Sequence, residues 1–280
     1  MAKQAKIAFE VNDEDAGVIE DANGSRTVLI NEFDINKMHP YDETDLKSAC
    51  KIVVIGKPKT GKSTLIENIM LYKSHICPTI QIYSGSEAEN GFYKRIAPDV
   101  TIFSKMDVKA QENFLKRQKI ARQYLPNPWA MQINDDVTDD PSILRKPLFQ
   151  GIYKRGRHFN MIHILALQYP MDISPGLRSC VDYVFILATA IQADRKKLYE
   201  NFASGSIPSF QDFCDIMDVI TEDHTALVID NFTESNKIED RVFYFKADPN
   251  KVPNGWKFGS KDCWDFHNQR MDPDYTPSIL

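Results

Sequence analysis

Short apolar runs alternate with longer amphipathic stretches along most of the chain. The runs are rich in β-branched and aromatic residues, as buried strands are, and they occur at Lys51–Ile55, Thr79–Tyr83, Val100–Ser104, Ala130–Asn134, Met161–Gln168, Tyr183–Leu187 and Ala226–Ile229. Helical spacing marks the stretches between them, at Lys62–Tyr72, Glu87–Ile96, Val108–Tyr124, Pro141–Arg157, Pro175–Cys180, Ala193–Ala203 and Ser209–Val219. Strands buried on both faces and separated by helix-length segments predict an α/β fold, with a mainly parallel central sheet and helices on both faces.

The two ends of the chain differ from this pattern. Residues 1–48 hold 11 acidic and 5 basic residues with one strand candidate, Thr27–Ile30, and predict an acidic N-terminal extension. Residues 249–280 are rich in Pro, Asp and aromatic residues and predict an irregular C-terminal tail. We therefore expect one α/β domain at residues 49–248, ending in an antiparallel hairpin whose last strand is Arg241–Lys246.

Composition narrows the class of protein. A hydrophobic fraction of 42% over 280 residues favours a packed globular chain over a disordered one. The five cysteines form no C-x-x-C pair, which argues against a disulfide framework and a cysteine zinc site. No run approaches the roughly 18 apolar residues of a membrane span, and no secretion signal is recognisable. We expect an intracellular protein without a membrane span.

The most specific motif follows the first predicted strand of the domain. Residues 56–63 read Gly-Lys-Pro-Lys-Thr-Gly-Lys-Ser, which matches the phosphate-binding P-loop, with an apolar strand before it and a helical pattern after it. In such a loop the backbone N–H groups face the phosphates, the lysine reaches the β- and γ-phosphates, and the serine hydroxyl binds Mg²⁺. The predicted nucleotide-binding residues are Gly56, Lys57, Pro58, Lys59, Thr60, Gly61, Lys62, Ser63 and Thr64.

A second strand ends in two consecutive acids, Asp135 and Asp136. Ligands of open α/β sheets bind at the carboxyl ends of the strands, so this pair is expected beside the P-loop. We assign Asp135 to Mg²⁺ and Asp136 to the attacking water, which it would orient or deprotonate. Because aspartate is shorter than the glutamate often found at the second position, the metal role is the firmer of the two.

Polar residues follow two more of the predicted strands. Gln168 ends the strand at Met161–Gln168, where its amide could contact both the γ-phosphate and the attacking water and so sense the nucleotide state. The segment Tyr83–Glu87 contains too few glycines for a second phosphate loop. We expect it to cross the top of the sheet near the site.

Two further segments carry a family resemblance. Arg155-Gly-Arg157-His158 precedes the strand that ends in Gln168, and Leu177-Arg178-Ser precedes Asp182-Tyr183. With the P-loop and the aspartate pair, in this order, residues 48–231 resemble the genome-packaging ATPases of large double-stranded DNA viruses, in the FtsK–HerA superfamily. Lys57 and Lys59 within the loop, and the acidic leader, depart from the family pattern.

That resemblance implies an ATP-hydrolysing, Mg²⁺-dependent motor that translocates double-stranded DNA into a capsid. Its subunits would form a homo-oligomeric ring that docks on capsid or portal-vertex proteins, in the host cytoplasm or the virion. In such rings an arginine of the neighbouring subunit stabilises the transition state. Arg155, Arg157 and Arg178 are the candidates, and their spacing does not choose among them.

Net charge is compatible with DNA as a partner. The formal charge of −5 comes from residues 1–48, which carry a net −6. Residues 94–122 hold eight basic and three acidic residues, and residues 145–158 hold five basic residues and no acid. A duplex held by its phosphates requires lysine and arginine only where it is contacted.

Other P-loop proteins fit less well. A nucleoside or nucleotide kinase shares the P-loop and the sheet, but its pattern is an arginine-rich lid without paired acids or a strand ending in glutamine. A GTP-binding switch needs N-K-x-D, and Asn236-Lys-Ile-Glu239 lacks the aspartate. A structural protein with an inactive P-loop would not need Lys62, Ser63 and Asp135. A kinase or another partner-activated ATPase is the remaining alternative.

Overall fold

Residues 7–12, 18–20, 26–137 and 142–270 are described by the structure, a computed structural model. The strands are β1 Ile7–Asn12, β2 Val18–Glu20, β3 Arg26–Glu32, β4 Lys51–Ile55, β5 Ile80–Ser84, β6 Ile102–Phe103, β7 Ala130–Asp135, β8 Met161–Leu167, β9 Tyr183–Ile186, β10 Thr225–Asp230 and β11 Val242–Lys246. The α-helices are α1 Lys62–Lys73, α2 Glu87–Asn90, α3 Val108–Tyr124, α4 Pro147–Arg155, α5 Pro175–Arg178, α6 Gln192–Leu198, α7 Phe210–Ile220 and α8 Lys261–Arg270.

Within the described residues the strands form one sheet in the order β1-β3-β11-β10-β9-β4-β8-β7-β5-β6, with β2 paired to β3. The pairs from β9 across to β6 are all parallel, and β10 runs antiparallel to both β9 and β11. The predicted α/β P-loop NTPase fold, with a mainly parallel sheet and a terminal hairpin, is confirmed.

Alternation along β4 explains why helices cover both faces. All five of its residues are buried. Ile52 and Val54 pack into one core with Leu65 and Ile69 of α1. Val53 and Ile55 point to the opposite core, which includes Phe213, Ile216 and Met217 of α7. Because successive strand residues face opposite sides, a strand apolar at every position must be covered twice.

Register brings four strand ends to one edge of the sheet. Ile55 pairs with Leu167, Asp135 pairs with Ala166, and Ser84 pairs with Asp135. The P-loop, the aspartate pair and Gln168 all follow these positions. The parallel topology thus places the predicted chemistry at a single edge.

Predicted helices break where local geometry changes. The stretch predicted as a helix at Glu87–Ile96 is α2 followed by a 3₁₀ turn at Tyr93–Arg95, because Gly91 adopts a left-handed φ of 58° and ends α2. The helix predicted at Pro141–Arg157 begins on a residue outside the described part of the chain, and α4 starts only at Pro147, where proline is favourable in the first turn. The predicted strand at Val100–Ser104 is reduced to β6.

Both ends of the described chain are more ordered than the sequence pattern indicates. The strand candidate Thr27–Ile30 lies inside β3, which pairs in parallel with β11 and so joins the main sheet. At the other end the expectation of an irregular tail fails at α8, where Trp264 Nε1 donates to the carbonyl oxygen of Phe258 at 2.9 Å. The division into segments 1–48, 49–248 and 249–280 stays a prediction.

Across the described residues, no helix combines the length and apolar character that a membrane span requires.

Candidate functional site: a P-loop cavity

Close packing at Gly56 fixes the start of the P-loop. Its N–H donates to the carbonyl oxygen of Leu167 at 3.0 Å, which ties the loop to the end of β8. A Cβ at this position would lie 2.6 Å from Thr60 Oγ1 and 2.9 Å from Leu187 Cβ. Only glycine fits between these two neighbours.

The loop then turns through two left-handed residues into α1. Lys59 has a φ of 66° and Gly61 a φ of 101°. Leu65 N–H donates to the Gly61 carbonyl at 3.0 Å, so helical bonding begins here. The first N–H groups of a helix have no partner within it, and the dipole makes this end attractive to anions. The loop therefore has the backbone arrangement of a phosphate site.

Lys62 lies against the loop that precedes it. Its Nζ donates to the Gly56 carbonyl at 2.6 Å and to the Lys57 carbonyl at 3.3 Å. Burial lowers the pKa of the Lys62 ammonium, and the Asp135 and Asp136 carboxylates oppose that shift. The ammonium thus faces both acids across one site.

Asp135 is a buried carboxylate at the end of β7. It is 6% exposed, and Tyr93 donates its hydroxyl to Oδ2 at 2.9 Å. Burial raises the pKa of the Asp135 carboxyl, whereas the Tyr93 hydroxyl and the Lys62 ammonium pull it back down. An oxygen donor of this kind suits Mg²⁺, which prefers hard oxygen ligands.

Asp136 takes a different backbone conformation from its neighbour. Its φ is 55°, in the left-handed region that is uncommon for residues other than glycine. The Gln168 side-chain amide donates to Asp136 Oδ1. The two residues assigned to the attacking water and to nucleotide sensing are therefore in direct contact.

One cavity of about 550 Å³ collects most of the predicted site residues. It is lined by Pro58, Lys59, Gly61, Lys62, Ser63, Thr64, Asp135, Asp136 and Gln168. Gly56, Lys57 and Thr60 belong to the same loop but do not line it. The volume lies in the usual range of small-molecule sites.

Five further residues line this cavity: Ser86, Asn90, His224, Ala247 and Pro249. Ser86 belongs to the segment that was expected to cross the sheet top near the site, whereas the sequence did not indicate the other four. His224 Nδ1 lies 3.2 Å from the carbonyl oxygen of Thr60, and since a carbonyl only accepts, the imidazole donates. Ala247 and Pro249 flank Asp248, whose N–H and carbonyl both bond the side chain of Asn68 on α1. No local signal marks Asn90, His224, Ala247 and Pro249, because they come from segments distant from the P-loop in sequence.

The residues present fit a magnesium site of the P-loop type. Among the described residues no group of three or more His, Cys, Asp or Glu side chains could hold a metal by itself. Magnesium, however, usually keeps several waters and takes one or two protein ligands together with substrate phosphates. Ser63 and Asp135 supply a hydroxyl and a carboxylate to the same cavity.

The three arginines lie at the other edge of the sheet. Arg155 and Arg157 precede β8, and Arg178 precedes β9, so they sit at the amino ends of strands whose carboxyl ends face the P-loop. Arg157 Nη2 lies 3.4 Å from Asp182 Oδ1, and Asp182 N–H donates to the carbonyl of Lys51, the first residue of β4. The five-residue strand β4 separates the edges by about 13 Å. None of the three lines the P-loop cavity.

These arginines instead share a second cavity, of about 880 Å³, with Lys51 and Lys154. Asp182 is the buried carboxylate in the lining of this second cavity. Its Oδ2 accepts hydrogen bonds from Nζ and from the backbone N–H of Lys51, both at 2.8 Å. Arg178 donates to the Ile173 carbonyl at 2.7 Å. The lining carries an excess of positive charge that is suited to an anion.

Curated relatives come from large DNA viruses. The chain is 45% identical over 237 residues to uncharacterized protein 088R of Invertebrate iridescent virus 3, covering 83% of this chain and 90% of that protein. It is 38% identical over 250 residues to uncharacterized protein 075L of Invertebrate iridescent virus 6, with 88% and 96% covered. Uncharacterized protein L437 of Acanthamoeba polyphaga mimivirus is 32% identical over 254 residues, with 87% and 84% covered. No family model matches the chain.

Solved structures show the same fold. The DNA-packaging ATPase B204 of Sulfolobus turreted icosahedral virus superposes with a TM-score of 0.51 at 15% identity, covering 71% of this chain and 98% of that one. The genome packaging NTPase B204 of Sulfolobus turreted icosahedral virus 2, in complex with ATP-gammaS, gives 0.50 at 14% identity, with 71% and 97% covered. The chain thus belongs to the family of large DNA virus proteins represented by these relatives, and it shares the fold of the DNA-packaging ATPase B204.

Proposed function

We propose that this protein is an ATP-hydrolysing motor that translocates double-stranded DNA into a viral capsid. The observation that carries the proposal is the convergence of the P-loop, Asp135, Asp136 and Gln168 on one cavity at the carboxyl edge of the sheet. The relationship to large DNA virus proteins and the fold shared with a viral packaging ATPase support the DNA-translocating form of this activity.

The P-loop, the two aspartates and Gln168 each have a role in this mechanism. Loop N–H groups and Lys62 bind the phosphates of ATP, and Ser63 and Asp135 hold Mg²⁺. Magnesium, when bound, neutralises charge on the β- and γ-phosphates. Asp136 orients or deprotonates the attacking water, and Gln168, bonded to Asp136, links that water to the γ-phosphate.

The arginines complete the site only in an assembly. A neighbouring subunit of a homo-oligomeric ring would place its basic edge, with Arg155, Arg157 and Arg178, against the P-loop edge of this one. Charge developing on the γ-phosphoryl group would then be stabilised from outside the subunit. A ring also provides the central channel that a duplex requires.

Basic residues from two windows of the sequence meet on one surface. Lys116, Lys119 and Arg122 on α3 share a shallow cavity with Arg155 and His158, and Arg122 donates to the His158 carbonyl at 3.0 Å. We propose that this surface contacts the phosphates of the DNA. Capsid or portal-vertex proteins are the proposed docking partners, in the host cytoplasm or the virion.

The test is steady-state ATP hydrolysis with and without duplex DNA. We expect DNA to stimulate turnover, with the stimulation weakening as salt rises. Lys62→Ala should abolish turnover because it removes the phosphate-binding ammonium, and Asp136→Ala should lower kcat by about 10² to 10⁴ while nucleotide still binds. Lys237→Ala is the matched control, because Lys237 is exposed and does not line the cavity.

Three outcomes would contradict the assignments. If DNA did not change the rate of ATP hydrolysis, the proposal of a DNA-translocating motor would be wrong, and a partner-activated ATPase would be the better assignment. Phosphate transfer to a nucleoside acceptor would favour the kinase alternative. Normal hydrolysis by Asp136→Ala would show that another group handles the water.

A further inference from the structure

The segment after β5 reaches the carboxyl end of β7 through one buried tyrosine. Tyr93 is 1% exposed, and its hydroxyl donates to Oδ2 of Asp135 at 2.9 Å. A tyrosine hydroxyl is protonated at neutral pH, and an ionised carboxylate only accepts, so the Tyr93 proton points to Asp135.

Tyr93 is itself held in place by its own segment. Its backbone N–H and that of Lys94 donate to the two carboxylate oxygens of Glu87, at 3.0 and 2.9 Å, and Glu87 is 3% exposed. The ring packs edge-on against Phe92 at a centroid distance of 4.9 Å. A residue anchored at its backbone and at its ring can fix whatever its hydroxyl contacts.

The carboxylate it contacts has few other supports. Asp135 lies beside Lys62 and Asp136, and its backbone carbonyl accepts the Gly85 N–H at 3.1 Å. Among the described residues the Tyr93 hydroxyl is the donor bonded to Oδ2, and no side chain or backbone group is bonded to Oδ1. Within the described part of the chain, one oxygen is thus engaged by protein, and Asp135 lines the cavity without a protein partner for the other.

We propose that Tyr93 is a positioning residue for the metal-binding carboxylate: its hydroxyl fixes Asp135 through Oδ2 and reserves Oδ1 for the hydration shell of a Mg²⁺–nucleotide complex. The proposal rests on the proposed function, because it assumes that Asp135 serves Mg²⁺. It adds a residue that no P-loop motif contains. Outer-shell partners of metal ligands act in this way, by orienting the ligand.

The test compares Tyr93→Phe with the parent protein in binding a non-hydrolysable ATP analogue by calorimetry, with and without Mg²⁺. Phenylalanine keeps the ring packing and removes only the hydroxyl. We expect affinity without Mg²⁺ to change less than about twofold, and the Mg²⁺ concentration at half-saturation to rise about tenfold or more. Asp135→Asn changes the proposed metal ligand itself, so its Mg²⁺ half-saturation shows how large the effect of losing that carboxylate is.

Tyr153→Phe is the matched control. Tyr153 is also buried, and its hydroxyl has no hydrogen-bond partner among the described residues. Removing that hydroxyl should leave the Mg²⁺ dependence unchanged. A loss of thermal stability in Tyr93→Phe without any change in Mg²⁺ half-saturation would overturn the positioning role and leave a structural one.

The same measurements give a different result if the proposed function itself is wrong. If the parent protein bound the analogue equally well with and without Mg²⁺, the metal assignment of Asp135 itself would be wrong, and the role of Tyr93 with it. If Mg²⁺ strengthened binding and Tyr93→Phe weakened that effect, while DNA failed to stimulate turnover, Tyr93 would keep its role in an ATPase that is not a DNA motor.

Discussion

At the residue scale, the backbone turn at Asp136 depends on a neighbour without a side chain. A Cβ at Gly85 would lie 2.3 Å from the carbonyl oxygen of Asp136, a distance that real Cβ atoms do not adopt. The neighbouring atom is backbone, so it cannot rotate aside. Gly85 therefore lets the β5 and β7 ends approach closely enough to bring Asp136 into the cavity.

Gly85→Ala should displace Asp136 and lower both activity and stability. Relieving such an overlap typically costs about 1–3 kcal/mol, and the shift should reduce kcat more than nucleotide affinity, since the P-loop is untouched. Urea unfolding and steady-state kinetics measure the two effects.

Gly205→Ala is the control for this substitution, because an added Cβ there would meet no atom within 4 Å. Equal losses in the two variants would mean that the close approach at Gly85 is unimportant.

At the element scale, a row of polar side chains crosses the strands on the sheet face that α3 covers. Gln81, Gln132 and His163 are register partners on β5, β7 and β8. Gln132 Nε2 donates to Gln81 Oε1 at 2.7 Å and to Gln111 Oε1 on α3 at 2.8 Å. Paired polar groups of this kind fix the register of the strands that deliver Asp135 and Gln168.

His163 makes this row sensitive to acid. It lies against Asn134 at 2.8 Å and against the Tyr153 ring at 5.1 Å. Burial, helped by Lys51, lowers the pKa of its imidazole from 6.5 to about 3. Between pH 6.5 and about 3, His163 therefore binds a proton in the unfolded chain but not in the folded chain. The stability that neutral, buried His163 contributes is complete above pH 6.5 and is lost as the pH falls toward 3.

His163→Gln should flatten the pH dependence of stability in that window. The difference in slope should approach about 1.4 kcal/mol per pH unit, the value for one proton. Urea unfolding at a series of pH values between 6.5 and 4 provides the measurement. Parallel curves for the variant and the parent would show that His163 is protonated in the folded protein.

At the scale of the whole molecule, the two edges of the sheet have different chemistry. The P-loop cavity lies at one edge, and the cavity with Arg155, Arg157 and Arg178 lies at the other. A head-to-tail arrangement of subunits brings unlike edges together and closes into a ring when the rotation permits. In the proposed ring, the arginines of one subunit would therefore face the P-loop cavity of its neighbour.

Mixing two inactive variants tests this arrangement. Lys62→Ala subunits keep their arginines, and subunits with one arginine changed to alanine keep their P-loop, so mixed assemblies contain some complete sites. Random mixing in equal amounts should restore about a quarter of the parent turnover for the arginine that acts in the neighbour.

Each arginine is tested in turn, and size-exclusion chromatography confirms that the subunits assemble. No recovery with any of the three would exclude all of them as groups supplied by a neighbouring subunit.

Some features of this protein follow from the sequence because they depend on neighbours along the chain. Residues 56–63 specify a phosphate loop by themselves, since Gly56 and Gly61 set the backbone and Lys62 begins the helix. The sequence also placed Asp135 and Gln168 at one edge, because parallel strands share a direction and their carboxyl ends must coincide. The uninterrupted apolar run at Ile52–Ile55 likewise predicted burial of both faces of β4.

Only the tertiary structure decided which distant groups complete the cavity. His224 and Pro249 reach it from loops whose paths depend on packing between elements, and no periodicity in the sequence encodes such a path. The contact between Tyr93 and Asp135 depends on the same packing. The same holds for β1 and α8, whose own segments carry weak patterns: β1 contacts α7, and Cys263 of α8 lies 3.6 Å from Thr79. The partners of the arginines were also decided by tertiary packing, because Arg157 lies 3.4 Å from Asp182 and Arg178 donates to the carbonyl oxygen of Ile173.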